Sequence, residues 1–358
     1  MEKGAYSPIV LDGELKRKDY DDRDRAFITA MFYGVIERRL TLDFVIAQFA
    51  VNPDSIDIET KALLRMAIYQ IMFMDSVPDS AAVNESVKLS NVKSKGYVNA
   101  VLRNFLRDYN NSKDLINNQI DNDLSLKYSC PKWLIEKWQN EYGYDSMLQI
   151  LTTSLGKPPV FESDGYVQDA SSREACGILD PQSGETIIDV CAAPGGKSFT
   201  IAKLMNNHGR IISCDINRKK LKTLEQTALK LGLNIIETHV NDAKIFNADF
   251  PKAARVVCDV PCSGLGVIRR KPEIKYKPQS DFEGLPQIQL KILQTSCEYV
   301  KQGGVLMYST CTLSRTENDD VVQAFLASNP SFELVQKQTI IPSEDGGDGF
   351  FTALLKRL

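Results

Sequence analysis

The chain has 358 residues, a length typical of two domains, and 43% of them are hydrophobic, which is enough to build a sizeable core. No run of about 18 apolar residues occurs, so the sequence predicts no membrane-spanning helix. The net charge of −3 argues against a general binder of polyanions, although local basic clusters leave room for a contact with nucleic acid.

The first part of the chain, residues 1–125, carries apolar side chains at helical spacing and predicts an all-α domain. The predicted helical segments are RDRAFITAMFYGVIERR, TLDFVIAQFA, IETKALLRMAIYQIMFM, SAAVNESVKLSNV and VNAVLRNFLRDY. Breakers rich in Pro, Gly and Ser separate them, and Ser80 is a candidate N-cap. Further helices are expected around PKWLIEKWQNEYG, in a helical linker that we assign to residues 126–165.

From residue 166 to the end of the chain, short apolar runs alternate with helical patterns. This alternation indicates a doubly wound α/β domain with a parallel sheet. Five buried strands are predicted at residues 185–190, 210–215, 234–240, 254–260 and 303–309. Two last strands are expected in FELVQKQTII and GFFTALLKRL.

A Gly-rich turn, within DVCAAPGGKSFTIA, joins the first of these strands to a helix. The turn matches neither GxGxxG nor GxxxxGK[ST], so it predicts neither a dinucleotide nor a P-loop site. A helix N-terminus behind such a turn favours a negative group, and the carboxylate of S-adenosylmethionine fits it. The candidate cofactor-binding residues of the turn are Cys191, Ala192, Ala193, Pro194, Gly195, Gly196 and Lys197.

Aspartates follow the next three strands. Asp215 ends the second strand, where a carboxylate can accept both ribose hydroxyls, and Asp242 and Asp259 follow the third and fourth. Each one alone is equally compatible with a turn or a helix cap. Together with the Gly-rich turn they predict one cofactor crevice at the carboxyl edge of the sheet. Asp189 lies within the first strand, so we expect it to support the turn rather than contact the cofactor.

The chain has eight cysteines and two histidines, and none of the cysteines forms a CxxC pair. This composition predicts no metal site. The N-terminal MEKGAYSPIV lacks the pattern of a signal peptide, so we expect a cytoplasmic protein with reduced and mostly buried thiols.

Two cysteines follow strands that can be neighbours in the sheet: Cys262 in PCSGLG and Cys311 in STCT. A thiolate that adds to carbon-6 of a pyrimidine makes carbon-5 able to attack a methyl sulfonium. The reaction also needs an acid near the ring, for which Asp259 is the candidate. Positive charge lowers a thiol pKa without any histidine. The candidate cations are Lys197, Arg269 and Arg270.

Two sets of motifs in the chain are similar to known families. The RNA cytosine-5 methyltransferases of the Nop2/Sun type resemble the chain in DVCAAPGGK, the Asp after RIISC, NDA, DVPCSGLGVIRRKPEIKY and YSTCTLSRTEN. The NusB-like RNA-binding domain resembles it in GVIERR, ALLRMAIYQIMFMDSVPDSAAVNESVKLS and NAVLRNFLR. The resemblance covers nearly the whole chain. It implies a NusB-like helical domain at 1–125, a Rossmann-like S-adenosylmethionine-dependent methyltransferase domain at 166–358, and a monomer acting on small-subunit ribosomal RNA.

The resemblance also assigns roles to residues. Cys311 would be the nucleophile, Cys262 would assist release of the product, and the turn with the three aspartates would bind S-adenosylmethionine. Because DNA cytosine-5 methyltransferases attack with the cysteine of a PC motif, Cys262 is the rival nucleophile. The basic segment RRKPEIKY is expected to contact RNA phosphate and stack on an unpaired base. Its candidate RNA-binding residues are Arg269, Arg270 and Lys271.

The chain departs from the family pattern in two places. Family members begin with one more helix, so we expect the first helix to be missing here. They also carry a small α/β subdomain that is nearly absent from the linker at 126–165. Two alternatives remain open: a tRNA cytosine-5 methyltransferase, and a non-catalytic RNA-binding or assembly factor that keeps the cofactor pocket. An amino-methylating enzyme is disfavoured because DVPC lacks a DPPY or NPPY pattern.

Overall fold

A computed structural model describes residues 7–163 and 165–358, which form two compact units. The helical unit contains the described residues up to Gln139 together with Ser154–Gly156 and Lys271–Tyr276. The sheet unit contains the described residues of Asn140–Thr153, Lys157–Arg270 and Lys277–Leu358. The linker predicted at 126–165 is therefore divided between the two units. The expectation of a missing first helix falls next to residues 1–6, which lie outside the described residues.

The N-terminal part of the chain is helical, as predicted. Its helices are α1 (Ser7–Leu15), α2 (Asp22–Glu37), α3 (Arg39–Phe49), α4 (Ile58–Phe73), α5 (Asp79–Leu89), α6 (Lys95–Asn122), α7 (Leu124–Lys127) and α8 (Lys132–Tyr142). The N-cap predicted at Ser80 is wrong, because α5 begins at Asp79 after Pro78. The carbonyl of Pro78 accepts the amides of Ala81 and Ala82, so the proline occupies the cap position.

The core of the helical unit comes from α3, α4 and α6, whose apolar faces meet. Leu42, Leu64 and Phe105 are fully buried there. One ion pair crosses the same region, with Arg65 bonded to both carboxylate oxygens of Asp43 at 2.7 Å. Such a two-pronged contact fixes the relative orientation of α3 and α4.

The sheet unit contains nine strands and six helices along the described chain. A short hairpin is formed by β1 (Glu162–Ser163) and β2 (Tyr166–Val167). The main sheet contains β3 (Thr186–Asp189), β4 (Arg210–Asp215), β5 (Ile236–Val240), β6 (Ala253–Asp259), β7 (Val300–Thr310), β8 (Phe332–Ile340) and β9 (Phe350–Arg357). The helices are α9 (Tyr144–Thr153), α10 (Ala170–Leu179), α11 (Gly196–Leu204), α12 (Arg218–Lys230), α13 (Leu285–Ser296) and α14 (Asp319–Ser328).

The seven strands of the main sheet lie in the order β5-β4-β3-β6-β7-β9-β8. The first five are parallel, and β9 pairs antiparallel with both β7 and β8. The predicted doubly wound α/β domain is confirmed, with the addition that its sheet is mixed because the last strand is inserted between β7 and β8. The chain reverses its direction across the sheet between β3 and β6, and ligands of such sheets bind outside the strand ends at this point.

The central strands of the sheet are buried on both faces, as parallel strands are. The prediction of a buried strand at 234–240 is wrong in its burial, because β5 lies at the edge of the sheet and has no fully buried residue. Val256, Val257 and Cys258 are consecutive in β6 and all are fully buried. Polar residues therefore start where the strands end. This arrangement brings the residues that follow β3, β4, β5, β6 and β7 to one edge of the sheet.

Candidate active site

The Gly-rich turn between β3 and α11 has a backbone that requires glycine. Gly195 has a φ of 117°, and a Cβ at this position would lie 2.4 Å from a ring carbon of Phe199. α11 begins at the next residue and runs for nine residues, so its first turn presents amides that have no partner within the helix. The turn residues 191–197 thus meet the physical requirement for holding a carboxylate.

Asp189 supports this turn from beneath. Its side chain is fully buried, and Oδ2 accepts a hydrogen bond from the Ser198 hydroxyl at 2.7 Å. Ser198 in turn lies 2.9 Å from the hydroxyl of Ser213 on β4. Burial raises the pKa of Asp189 to about 7. Its second oxygen, Oδ1, is buried without a hydrogen-bond partner among the described residues. A bound cofactor that brings a hydrogen-bond donor or a positive charge would complete this site.

Asp215 and Asp242 lie at the same edge, and each uses one oxygen in a local turn. Oδ1 of Asp215 accepts the amide of Asn217 at 2.7 Å, and Oδ1 of Asp242 accepts the amide of Lys244 at 3.0 Å. Each of these two aspartates therefore accepts a hydrogen bond within a local turn and also lies at the carboxyl edge of the sheet. Oδ2 of Asp215 has no partner within residues 7–163 and 165–358, so a bound ligand can use it.

An ion pair joins the turn to the end of β6. The ammonium of Lys197 lies 2.7 Å from Oδ2 of Asp259 and donates to the Ser172 hydroxyl at 3.2 Å. Burial acts to lower the pKa of Lys197, but the surrounding negative groups, Asp259 first, together with the hydrogen bond to Asp259 outweigh it, and the pKa is raised. Oδ1 of Asp259 accepts from Ser309 on the neighbouring β7 at 3.0 Å. The carboxylate of Asp259 is thus held in place while remaining 35% exposed.

The two cysteines predicted to share the crevice lie together. Asp259 pairs with Ser309 in the sheet register, and beyond this pair the Sγ atoms of Cys262 and Cys311 are 3.4 Å apart. The hydrogen bond with the Cys311 sulfur, followed by burial and the charges of Cys311 and Glu317, raises the pKa of the Cys262 thiol. Loss of the proton from Cys262 is therefore disfavoured, and its sulfur lies at hydrogen-bond distance from that of Cys311.

Two residues that follow Cys311 hold the segments of the two cysteines through hydrogen bonds. The sequence analysis assigned no role to either of them. Glu317 accepts the amide of Ser263 at 2.9 Å and its hydroxyl at 2.6 Å. Asn318 donates to the carbonyl of Thr312 at 2.9 Å and accepts from the Thr310 hydroxyl at 2.6 Å. The sequence signal for these two residues is the adjacent Glu and Asn at the end of YSTCTLSRTEN. Polar residues of this kind need fixed hydrogen-bond partners wherever they are buried.

The basic segment at 269–271 differs from the exposed loop that the sequence predicted. Arg269 is 5% exposed and donates to Asp348 and to main-chain carbonyls within residues 343–347. Arg270 is bonded to Asp348, to Asp169 and to the carbonyl of Pro159. These guanidinium groups are occupied inside the sheet unit, so their prediction as exposed RNA contacts is corrected. Their candidate role as cations that lower a thiol pKa stays a prediction. Lys271 alone of the three is exposed.

The end of the same segment is also buried, within the helical unit. The ammonium of Lys275 donates to the carbonyls of Glu37 at 2.9 Å and Tyr128 at 3.3 Å, and the side chain is fully buried. Burial lowers the pKa of Lys275 to about 8. The hydroxyl of Tyr276 donates to the same carbonyl of Glu37 at 2.9 Å. Neither side chain is available for stacking on a base.

The remaining cysteines and charged groups form no second centre in the described chain. Burial raises the pKa of several cysteines to about 12, and these are Cys130, Cys176, Cys214 and Cys258. In residues 7–163 and 165–358 no group of three or more metal-ligating side chains is arranged to hold an ion. No helix in this part of the chain has the length and apolar composition needed to cross a membrane.

The sequence matches two family models and a set of curated proteins. A model described as 16S rRNA methyltransferase RsmB/F matches residues 176–356, and the NusB family model matches residues 1–107. The probable ribosomal RNA small subunit methyltransferase B of Bacillus subtilis is 33% identical over 425 residues, which cover 99% of this chain and 95% of that protein. The ribosomal RNA small subunit methyltransferase B of Thermus thermophilus is 28% identical, with coverage of 100% and 95%.

Solved structures show the same architecture. The crystal structure of PH0851 superposes with a TM-score of 0.76 at 25% identity, covering 96% of this chain and 92% of that one. NSun6 from Pyrococcus horikoshii, crystallised with the S-adenosylmethionine analogue SFG, superposes with a TM-score of 0.50 at 29% identity over 54% of this chain and 53% of that one. The fold of the sheet unit is therefore shared with a protein that was crystallised with a cofactor analogue of this class.

Proposed function

Because the chain belongs to the RsmB/F family of 16S rRNA methyltransferases, which depend on S-adenosylmethionine, we propose that it methylates carbon-5 of a cytosine in 16S rRNA. In this proposal the reaction passes through a bond between the sulfur of Cys311 and carbon-6 of the base. The observation that carries the proposal is the pair of sulfurs 3.4 Å apart, at the ends of adjacent strands and beyond Asp259.

The cofactor is proposed to lie along the carboxyl edge of β3, β4 and β5. S-adenosylmethionine supplies a methyl group on a positively charged sulfur. The amides of residues 191–197 suit its carboxylate, and the oxygen of Asp215 that has no protein partner suits the ribose hydroxyls. Asp242 and Asp259 complete the proposed set of contacts. The unpartnered buried oxygen of Asp189 supports this fit, because a positive group nearby offsets the burial of its carboxylate.

The first chemical step is assigned to Cys311. Its thiolate bonds to carbon-6 of the cytosine, and the electron pair of the carbon-5–carbon-6 double bond moves toward carbon-5 and the ring nitrogen N3. Asp259 is proposed to face the N3 edge and to pass to it a proton from its bonded partner, the Lys197 ammonium; the proton returns by the same route when the product is released. Carbon-5 then has the electron density needed to take the methyl carbon. The choice of Cys311 is supported by Cys262, which keeps its own proton.

Release of the product is assigned to Cys262. After methyl transfer, carbon-5 carries both a proton and the new methyl group. A base removes this proton, the double bond to carbon-6 re-forms, and the sulfur of Cys311 leaves with its electron pair. The thiol of Cys262 lies at hydrogen-bond distance from that sulfur, so it can stabilise the departing thiolate. Without this donor the covalent adduct is expected to persist.

RNA binding is proposed to involve the helical unit and Lys271. The NusB family match covers residues 1–107, and Lys271 is exposed next to the buried Arg269 and the partly buried Arg270. The target cytosine has to leave any base stack to reach a thiol at the sheet edge.

A single-turnover assay tests this function. The protein is mixed with methyl-labelled S-adenosylmethionine and with small subunits, or their rRNA, from cells that lack the modification, and the RNA is digested to nucleosides. We expect the label in 5-methylcytosine from 16S rRNA. Label in tRNA instead would favour a tRNA enzyme, and cofactor binding without transfer to either RNA would favour a non-catalytic assembly factor.

A further inference from the structure

Glu317 is a buried carboxylate with three neutral hydrogen-bond donors. It is 2% exposed, and its oxygens accept the amide and the hydroxyl of Ser263 and the side-chain amide of Gln289 at 2.9 Å. Within the described part of the chain it forms no ion pair with Lys or Arg. Both oxygens act as acceptors, as those of an ionised carboxylate do. A negative charge without a cationic partner is costly to bury, so its position calls for an explanation.

Glu317 follows Cys311 in the chain, but the donors that it binds lie around the other cysteine, Cys262. Ser263 comes directly after Cys262, and Gln289 also donates to the carbonyl of Pro261 at 3.0 Å. Glu317 therefore binds Ser263 directly and is linked to Pro261 through Gln289, so both neighbours of Cys262 are held. The neighbouring Asn318 fixes the residues on both sides of Cys311 through Thr310 and Thr312. The two segments whose sulfurs lie 3.4 Å apart are thus both bonded to these two adjacent side chains.

We propose that Glu317 is a positioning residue that keeps the proton of the cysteine pair on Cys262 and leaves Cys311 as the thiolate. It acts through its bond to the main-chain amide of Ser263, which holds the Cys262 segment against the sulfur of Cys311, and through its negative charge, which opposes a thiolate on Cys262. The role rests on the proposed reaction, in which Cys311 attacks and Cys262 assists release.

The groups that face Cys262 agree with this placement of the proton. Cys311 and Glu317 come from the segment after β7, and both raise the pKa of the Cys262 thiol. Tyr308, on β7, has a pKa raised by burial and by Cys262, so it stays a neutral phenol. Gln289, on α13, is neutral. None of these neighbours supplies a positive charge that would favour a thiolate on Cys262; the main-chain amide of Gly264 does lower the pKa of this thiol, but by less than each of the other causes raises it.

The test is site-resolved alkylation, which does not use RNA. Wild-type protein and the variants Glu317→Gln and Ser263→Ala are treated with iodoacetamide between pH 6 and 10, and the modified peptides are quantified by mass spectrometry. Glu317→Gln keeps the shape and removes the charge. Ser263→Ala removes one hydroxyl donor and keeps both the charge and the contact with the main-chain amide, so it is the matched control.

We expect wild-type Cys311 to react at least about tenfold faster than Cys262 at pH 7, because only the thiolate is nucleophilic. In Glu317→Gln the pH profile of Cys262 should shift down by about one unit or more, which makes it about tenfold faster at pH 7, while Cys311 slows. Ser263→Ala should keep the wild-type order and the wild-type midpoints.

Three results overturn the role of Glu317. One is an unchanged pH profile of Cys262 in folded Glu317→Gln. Another is an equal acceleration of both cysteines at every pH, which marks a loosened structure alone. If Glu317→Gln does not fold, the wild-type protein still decides, because Cys262 reacting before Cys311 at neutral pH excludes the proposal. Failure of methyl transfer with the expected alkylation pattern would reject the proposed function and leave the proton placement standing.

Discussion

Two charge clusters in the sheet unit differ in what surrounds their charges. In the crevice cluster, Lys197 is paired with Asp259, whose carboxylate is 35% exposed at a strand end. In the bracing cluster, Arg269 and Arg270 are bonded to Asp348, which is 2% exposed, and most other donor positions are taken by carbonyls and Asp169. The first arrangement leaves a charged group open to a ligand, and the second uses its charges to hold chain segments together.

Basic residues near the strand ends therefore differ in role: Lys197 neutralises a partly exposed carboxylate, whereas Arg269 and Arg270 hold chain segments together. The bracing cluster joins the segment after Cys262 to residues 343–349. This contact continues to the second cysteine, because the amide of Gly266 donates to the carbonyl of Cys311 at 3.0 Å and the amide of Gly349 donates to that of Gly266 at 2.9 Å. A Cβ on Gly266 would lie 2.1 Å from the carbonyl oxygen of Gly349, so the segments touch closely. Arg269 and Arg270 therefore serve the site by packing.

The largest expected effect concerns Asp189, the fully buried carboxylate beneath the Gly-rich turn. Its folded pKa of about 7 lies above the ordinary 3.8, so its stabilising contribution is complete below about pH 4 and is lost as the pH rises through 7. Asp189→Asn removes this titration. The unfolding free energy of the variant relative to wild type should therefore rise between pH 5 and 8, on the order of 3 kcal/mol, in urea titrations. A difference that stays constant with pH would contradict the burial argument.

The next effect concerns Arg269 in the bracing cluster. Arg269→Met removes bonds to buried carbonyls and one of the charges facing Asp348, and we expect a loss of about 3 kcal/mol in the unfolding free energy. The protein that remains folded at low temperature should bind S-adenosylmethionine with wild-type affinity. A variant with full stability but weaker RNA binding would instead restore the prediction of an RNA contact at this position.

A third effect concerns Lys197 and sharpens the contrast. Lys197→Met removes the cost of burying the ammonium and leaves the Asp259 carboxylate partly exposed to water, so the unfolding free energy should change by less than about 1 kcal/mol. Single-turnover methyl transfer should fall by about 10²-fold, because Asp259 loses its proton-bearing partner. A loss of unfolding free energy with unchanged methyl transfer would show that Lys197 stabilises the fold, as Arg269 and Arg270 do, and has no part in the reaction.

The smallest effect concerns Lys271, the exposed member of the basic segment. Lys271→Ala should leave stability unchanged and weaken RNA binding by a few-fold, with the slope of log Kd against log salt reduced by about one. The measurement is a filter-binding titration at several salt concentrations, with Lys301→Ala, at an exposed position on β7, as a comparison. Identical slopes for wild type and Lys271→Ala would show that this lysine makes no phosphate contact.

The sequence predicted the fold and the location of the candidate site because the relevant signals are local. Apolar runs mark the strands, and Gly195, Asp215 and Asp259 stand directly at strand ends. The burial of Arg269 was not predictable, since its partners are main-chain carbonyls more than 70 residues away that carry no side-chain signature. Glu317 was missed for a similar reason, because its partner Ser263 lies 54 residues earlier.

The covalent role of Cys311 is the central claim, and adduct mapping tests it most directly. The variant Cys262→Ala is incubated with S-adenosylmethionine and substrate rRNA, denatured, and analysed for a protein–RNA band whose linked peptide is identified by mass spectrometry. We predict an adduct on the peptide containing Cys311, and none in Cys311→Ala or in the double variant. An adduct in Cys311→Ala that maps to Cys262 would contradict the account and make Cys262 the nucleophile.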